Sequence, residues 1–390
     1  MLVASQVALS LLVLFAAGLL VRSLQNMRNL DLGYSRDNLL VISVDPVSAG
    51  YNPARITNYA NEVGARLASL PGVRAVSSSA NGLFSGHDSS NSLQMEGYVA
   101  RNDEDRVASS DDVAPGYFKA VGIPLILGRD IGMQDTAASP KVAVINEAMA
   151  KFYFGNTDPI GKKFTVDDND EKISKQQIEI VGVSRDARDH EIRGTVPRRY
   201  YVPISQATDN LNTVNFEVRS AGDTALVEQA GRKQIQAFDS KVPINRVRSL
   251  NESVDSNISN EILIAKLSSF FAGLALLLAC VGLYGVMSYS VTARTREIGV
   301  RMALGAQRPA VLWLILREAI KLVAIGVIVG IPAAFLSSQL LSSMLFGLKT
   351  TDVKSMLAVV LVLITVAIVA GLIPARRATK VDPMIALRYE

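Results

Sequence analysis

Four stretches of the chain carry no charged side chain: residues 1–21, 267–293, 322–348 and 355–375. Each reaches the length of about 20 apolar residues that a helix needs to cross a bilayer. Four transmembrane helices are therefore predicted, over 1–23, 267–289, 318–344 and 354–374. The intervening residues 24–261 have an ordinary globular pattern, enough for one large domain or two small ones. Within them, 38–44 (NLLVISV) alternates and is rich in β-branched side chains, which predicts a strand. Residues 53–70 show helical spacing through Ile56, Tyr59, Ala60, Val63, Leu67 and Leu70, and Pro71-Gly72 stops the helix. A strand resumes over 73–79. The same order returns near the domain's end, with a strand at 213–219, a helix at 224–238 and a strand at 244–248. Two split β-α-β units predict a ferredoxin-like, porter-like part from 36–81 and 209–250. Between them, 82–208 is richer in glycine, proline and short β-like runs (141–146, 177–183, 199–202) and reads as a mostly β insertion. Residues 250–266 are predicted to lead helically, and so rigidly, into the second span. The fold class is that of an α+β membrane protein with a large extracytoplasmic domain between helices 1 and 2.

Composition sharpens this. Charged residues make up 19% of the chain and hydrophobic ones 49%; soluble domains carry roughly 25% charged residues. The net charge of +4 hides an asymmetry. Residues 24–261 hold 26 basic and 31 acidic side chains, and the rest of the chain holds 14 and 5. The basic excess concentrates at 290–321 and after 376, and short basic loops stay in the cytoplasm. Both segments are expected inside, with 24–261 and the short loop 349–354 outside. Arg22 and Arg28, at the outer end of the first span, run mildly against the rule. The first apolar run starts at residue 2 without a basic flank or a plausible cleavage site, so a signal peptide is not expected. Either the chain starts abruptly or it is the downstream part of a longer polypeptide, and the second is the expectation.

Catalytic chemistry finds little support. The nearest thing to a phosphate-binding loop, Gly155 to Lys163, has five residues between its glycines, ends in lysine and lies in the outer domain. No zincin helix, nucleophile elbow or Cys-x-x-Cys pair occurs. One cysteine, Cys280, and two histidines, His87 and His190, provide neither a disulfide nor a histidine-rich metal site. His190, between Asp189 and Glu191, reads as a surface loop, and 167–171 as a solvated acidic turn. No catalytic residue, cofactor site or metal site is predicted, and no nucleic-acid partner. The spans contain no charge that would mark a proton or ion path. Arg317, Glu318 and Lys321 read as an amphipathic stretch at the cytoplasmic surface or a helix end snorkelling to it. Gly273, Gly282 and Gly285 permit close helix contacts, and Gly326 and Gly330 have a small-xxx-small spacing that suits either a dimer face or packing within the chain.

The loop 294–309, RTREIGVRMALGAQRP, mixes charge with Ile298, Val300, Met302, Ala303 and Leu304. A short amphipathic helix ending near Gly305 accounts for the pattern. Its apolar face must dock on the membrane surface or in a groove of a cytoplasmic partner.

Here the chain resembles a known family, the MacB/FtsX-like ABC transporter permeases, across nearly its whole length. REIGVRMALGAQRPAVLWLIL (296–316) is similar to the family's loop between spans two and three, and PARRATKVDPMIALRYE (374–390) to its tail. VAPGYFKAVGIPLILGRDI (113–131), VAVINEAMAKFYFGNTDPIGKKF (142–164) and IEIVGVSRDARD (178–189) are similar to its periplasmic core pattern. The opening residues resemble the second half of the duplicated permeases of Acidobacteria type. The resemblance implies a periplasmic core domain (24–261), an FtsX-like permease domain (262–390) and a multi-pass protein of the bacterial inner membrane. It implies that 294–309 is the coupling helix on a separate ABC ATP-binding subunit, with Arg296, Glu297, Gly299, Arg301, Leu304, Gly305 and Ala306 in the contact. Further implied partners are a second permease unit (a copy of this chain or the other half of a duplicated permease), the lipid bilayer and a periplasmic adaptor protein. The implied function is ATP-driven motion of the periplasmic domain with efflux of amphiphilic, drug-like or peptide substrates. The alternatives are signal transmission to a periplasmic partner such as a cell-wall hydrolase, and lipoprotein extraction.

Overall fold

A computed structural model describes residues 2–167, 176–207, 211–304, 307–348 and 351–378. They form two units, Leu30–Ile258 and Met1–Asn29 with Ser259–Glu390. The chain begins with helix α1 (Leu2–Arg28) of the second unit.

In the first unit, β1 (Leu39–Val44), α2 (Pro53–Ala68) and β2 (Val73–Ser79) are followed much later by β10 (Val214–Ser220), α5 (Thr224–Phe238) and β11 (Ile244–Ser249). The strands lie in the antiparallel order β11-β1-β10-β2, the ferredoxin-like layer. Helix α2 starts where Asn52 Oδ1 accepts the Arg55 N–H at 3.0 Å and Pro53 occupies the first turn, whose amide has no helical partner to lose. Its stripe of Ile56, Tyr59, Val63 and Leu67 packs with Val227 and Ile235 of α5 over Ile42, Phe216 and Val218 of the sheet.

The chain between β2 and β10 folds as a barrel. β3 (Ser89–Met95), β4 (Val107–Val113), β6 (Val142–Asn146), β7 (Lys163–Asp167), β8 (Gln177–Ser184) and β9 (Arg199–Pro203) pair in the order β4-β3-β7-β8-β6-β9. A parallel β4–β9 ladder, Ser109↔Arg199 to Val113↔Pro203, closes the ring. β5 (Leu125–Gly128) adds to β8, and the short helices α3 (Tyr117–Val121) and α4 (Glu147–Phe154) lie between strands. Leu93, Ile145, Met149, Phe164, Ile180 and Tyr200 fill the barrel's apolar core. One antiparallel pair, Ser79↔Val113, joins it to the layer. Just beyond, Gly82 turns at φ +75°, and a Cβ there would lie 2.5 Å from Asn215 Cγ, so only glycine fits.

Near this joint the interior is ionic. Arg199 Nη2 lies 2.8 Å from Asp88 Oδ1 and 3.1 Å from Asp189 Oδ1. Burial opposes the Arg199 charge, but Asp189, Tyr201, Asp88 and Asp111 outweigh it and hold its pKa above the ordinary value. Asp111 is buried on β4 and accepts the Asn81 N–H at 3.0 Å; burial pushes its carboxyl up to about 8. Burial also raises Glu217 well above the carboxylate range, although Ser79 donates to it at 2.6 Å.

The helical lead expected over 250–266 is two helices. α6 (Leu250–Asn257) starts at a capping box of Ser249 and Glu252, and α7 (Ser259–Ala293) follows. Ile258 breaks the run at φ −104°, ψ 26°. The second unit continues through α8 (Thr295–Ala303), α9 (Arg308–Leu340) and α10 (Val353–Ala378). Four helices, α1, α7, α9 and α10, are long and apolar enough to cross a membrane. Val7, Leu11, Phe15 and Leu19 of α1 form one apolar core with Leu283, Val323, Met356 and Leu363. Gly326 and Gly330 face α1: a Cβ at Gly326 would lie 2.7 Å from Val7 Cβ, and one at Gly330 3.2 Å from Ala8 Cα. Their spacing therefore serves packing within the chain. Gly282 sits against Gln6, while Gly273 and Gly285 meet no atom within 4 Å. Arg22, the cation that ran against the charge rule, pairs with Asp352 in front of α10. Ser23 and Asn26 bond the main chain of Phe346 and Gly347 beside it.

Candidate functional site

The site resides on α8, where the chain turns between two membrane helices. Thr295 Oγ1 bonds the Val291 and Thr292 carbonyls, and the Ile298 N–H reaches back to the Arg294 carbonyl at 3.0 Å. The turn is thus wound tightly onto the end of α7. Arg294 Nη1 reaches Glu318 Oε1 of α9 at 2.5 Å, and Ser290 donates to Glu318 Oε2 at 3.0 Å. These bonds tie α7 to α9 on either side of α8.

Helix α8 divides by face. Ile298 is 3% exposed and packs among Met287 of α7, Val311, Ile315 and Ala319 of α9, and Ala375 of α10. At 3.6 residues per turn, Val300, Leu304, Glu297 and Arg301 share an arc of about 100° beside it, whose near edge, Arg301, lies about 60° round from Ile298. Glu297 and Arg301 bridge at 2.6 Å with about half of each side chain exposed. Val300 is 43% and Leu304 83% exposed. A helix of this length is marginal alone in water, so its seat in the bundle and the i,i+4 pair hold it. What remains outward is an apolar-charged surface with no partner among the described residues of this chain.

Of the residues expected in the contact, Glu297, Arg301 and Leu304 fall together on that arc. Arg296 and Gly299 lie on the helix, and Gly305 and Ala306 lie outside the described residues, as does the cap expected at Gly305. The loop's mixture of charged and apolar residues made the outward face legible. Its inward anchor was not: Ile298 looks like its neighbours in sequence, and its seat comes from the packing of three other helices. Arg317, Glu318 and Lys321 are inside α9, and Glu318 serves as the acceptor for Arg294. Among the described residues no group of three His, Cys, Asp or Glu side chains is arranged to hold a metal. The run 168–171 of the expected acidic turn lies outside them. His190 Nε2 stands 3.9 Å from Glu191, and the His190 carbonyl accepts from Asn257.

Comparison with known proteins places these elements. The MacB-like periplasmic core domain matches residues 1–234, and the FtsX-like permease C-terminal domain matches 269–383. YknZ of Bacillus subtilis, described as an uncharacterized ABC transporter permease, is 28% identical over 300 residues, 74% of this chain and 72% of its own. MacB of Bdellovibrio bacteriovorus, a macrolide export ATP-binding/permease protein, is 27% identical over 365 residues, 90% of this chain and 53% of its own. MacB of Chlorobium luteolum is 32% identical over 281 residues, 68% of this chain and 40% of its own. The chain thus spans 53% and 40% of the lengths of these two MacB proteins. With one family domain covering most of the outer unit and the other the membrane helices from α7 onward, the chain belongs to the MacB/FtsX-like ABC transporter permeases, as a multi-pass inner-membrane protein with a periplasmic domain.

Proposed function

We propose that α8 is the coupling helix through which a separate ATP-binding subunit drives this permease. The observation that carries the proposal is the division of α8 into one buried anchor, Ile298, and one bare arc, Glu297 to Leu304. A partner groove that takes Leu304 and Val300 while meeting the Glu297–Arg301 pair fits that arc. Arg296, Gly299, Gly305 and Ala306 complete the contact by family resemblance. Because Ile298 belongs to one buried cluster with residues of α7, α9 and α10, a displacement of α8 is passed into the packing of three spans. ATP-driven closure of two ATPase subunits moves two such helices, one on each of two permease units, and α1 and α7 carry the motion outward. ATP hydrolysis then belongs to the partner and none of the chemistry to this chain. The relatives named for macrolide export support efflux, of amphiphilic, drug-like or peptide substrates taken up on the periplasmic side, with a periplasmic adaptor beyond.

The test is purification of the full chain in mild detergent with its ATP-binding subunit, quantified by mass spectrometry. Burying a leucine contributes about 1.5–3 kcal/mol, so Leu304→Asp is expected to cut the bound ATPase tenfold or more. Glu297→Ala with Arg301→Ala is expected to weaken it further. Undiminished ATPase in both variants removes α8 from the contact.

A further inference from the structure

A cavity of about 430 Å³ opens inside the periplasmic unit, at the seam of the barrel and the ferredoxin-like layer. It is within the size range of small-molecule sites, roughly 300–1,000 Å³, and does not depend on α8. Its walls mix apolar Val142, Val166, Ile178 and Val202 with polar groups. Most of those polar groups are already engaged. Gln206 spends its side chain on Val142 N–H, Thr136, Ser139 and Pro140. Asn91 donates to Ser110 and Tyr200.

Two charges are left over. Asp112, on β4, lines the cavity, is half-buried, and its carboxylate has no hydrogen bond or ion pair to any described residue. Lys141, just before β6, lines the same cavity, and its ammonium donates only to the Gln206 carbonyl, at 3.0 Å. Neither has a partner of opposite charge among the described residues. Burial alone raises the Asp112 carboxyl to about 6 and lowers the Lys141 ammonium, and neither charge is felt at the other. The register explains why. Asp112 lies opposite Val202 of β9, and β6 runs along the far side of β9, so the two residues stand two strands apart. Two strand spacings are about 10 Å, and continuing the β6–β9 register sets Lys141 two residues further along, about 6–7 Å. Leaving two opposite charges half-desolvated and unpaired is costly unless something bridges them.

We propose that this cavity binds a small zwitterion of amino-acid to dipeptide size, its ammonium on Asp112 and its carboxylate on Lys141. An extended dipeptide spans about 7 Å, with a charge-assisted contact of about 2.8 Å at each end, and a molecule of that size fits within the cavity of about 430 Å³. The apolar walls then receive the ligand's side chains, beside His87, Gln176 and Asn212, which also line the cavity.

The experiment is calorimetric titration of L-alanyl-L-alanine into the full chain in detergent at neutral pH, beside its N-acetyl and C-amide forms and free L-alanine. The unmodified dipeptide or alanine is expected to bind, and each cap to weaken dipeptide binding about tenfold or more. Asp112→Asn is expected to weaken the unmodified dipeptide and leave the N-acetyl form unchanged; Lys141→Met does the same with respect to the C-amide. Absence of binding by all four probes overturns the proposal, as does equal binding of capped and uncapped forms. The comparison of caps on the unsubstituted chain decides it even where a variant fails to fold.

Discussion

Asp111 stands in the middle of β4 with its carboxyl shut away from water and one main-chain amide pointed at it. In the unfolded chain it releases its proton near the ordinary value of 3.8; folded, it keeps the proton up to about 8. Between those values the folded state binds the extra proton, so stability falls as pH rises, by at most about 1.4 kcal/mol per pH unit for one group. Calorimetric unfolding of the periplasmic unit in the full chain is expected to show a midpoint that drops from pH 5 toward pH 8. Asp111→Asn keeps an acceptor for Asn81 and has no proton to lose, so its curve should be flatter. Glu217, Asp112 and Asp189, also raised, contribute to the slope that remains; identical slopes in the two proteins rule out Asp111 as a source. Arg199 acts through its charge. Arg199→Met leaves Asp88 and Asp189 without their cation and is expected to cost about 3–5 kcal/mol in the same measurement. None of this was readable in the sequence. Asp111-Asp112 looks like a solvated turn, because aspartate is depleted in strands, and only distant partners make it interior.

Among the elements, α1 and α9 meet most closely where glycine allows it. Gly326→Val inserts a side chain where even a Cβ is 2.7 Å from Val7, and should destabilise the bundle by about 1–3 kcal/mol in a detergent thermal melt. Gly273→Ala, which meets nothing within 4 Å, should not lower the melt, and an equal loss in both would show that the close approach at Gly326 is not what decides. Local elements were legible where a period was strong. β1 carries β-branched alternation, and α2 carries Ile56, Tyr59, Val63 and Leu67 on one face. β3 (SSNSLQM) and β4 (VASSDDV) were not, since serine, asparagine and aspartate have no strand preference; neighbours in the barrel order them. The break at Ile258 was equally hidden, since its sequence is helix-compatible and the capping box at Ser249 and Glu252 governs only the near end.

At the scale of the whole molecule, charge fixes orientation, and Arg22 shows how an exception is absorbed: Asp352, at the same end of the bundle, neutralises it. In a Cys280→Ala background, Lys151→Cys is expected to react with an impermeant thiol reagent on cells whose outer barrier is opened, and Leu304→Cys only once the inner membrane is breached. Reaction at 304 from outside would invert the topology. Span number came from charge-free runs and sidedness from the basic excess of the short loops, but the ring closure of β4 on β9 joins residues about ninety apart, and no local pattern announces it. Closure also leaves the seam strands without open edges. The ferredoxin-like layer is different, for among the described residues β11 pairs with β1 alone and so stands at the sheet's edge. Membrane anchoring confines such domains to a thin shell and crowds them far beyond their bulk concentration, where an open strand invites zipper-like joining. Arg246 and Arg248 stand exposed or half-exposed along that strand; as two approaching copies bring these guanidiniums together, their mutual repulsion acts as a gatekeeper against intermolecular sheet growth.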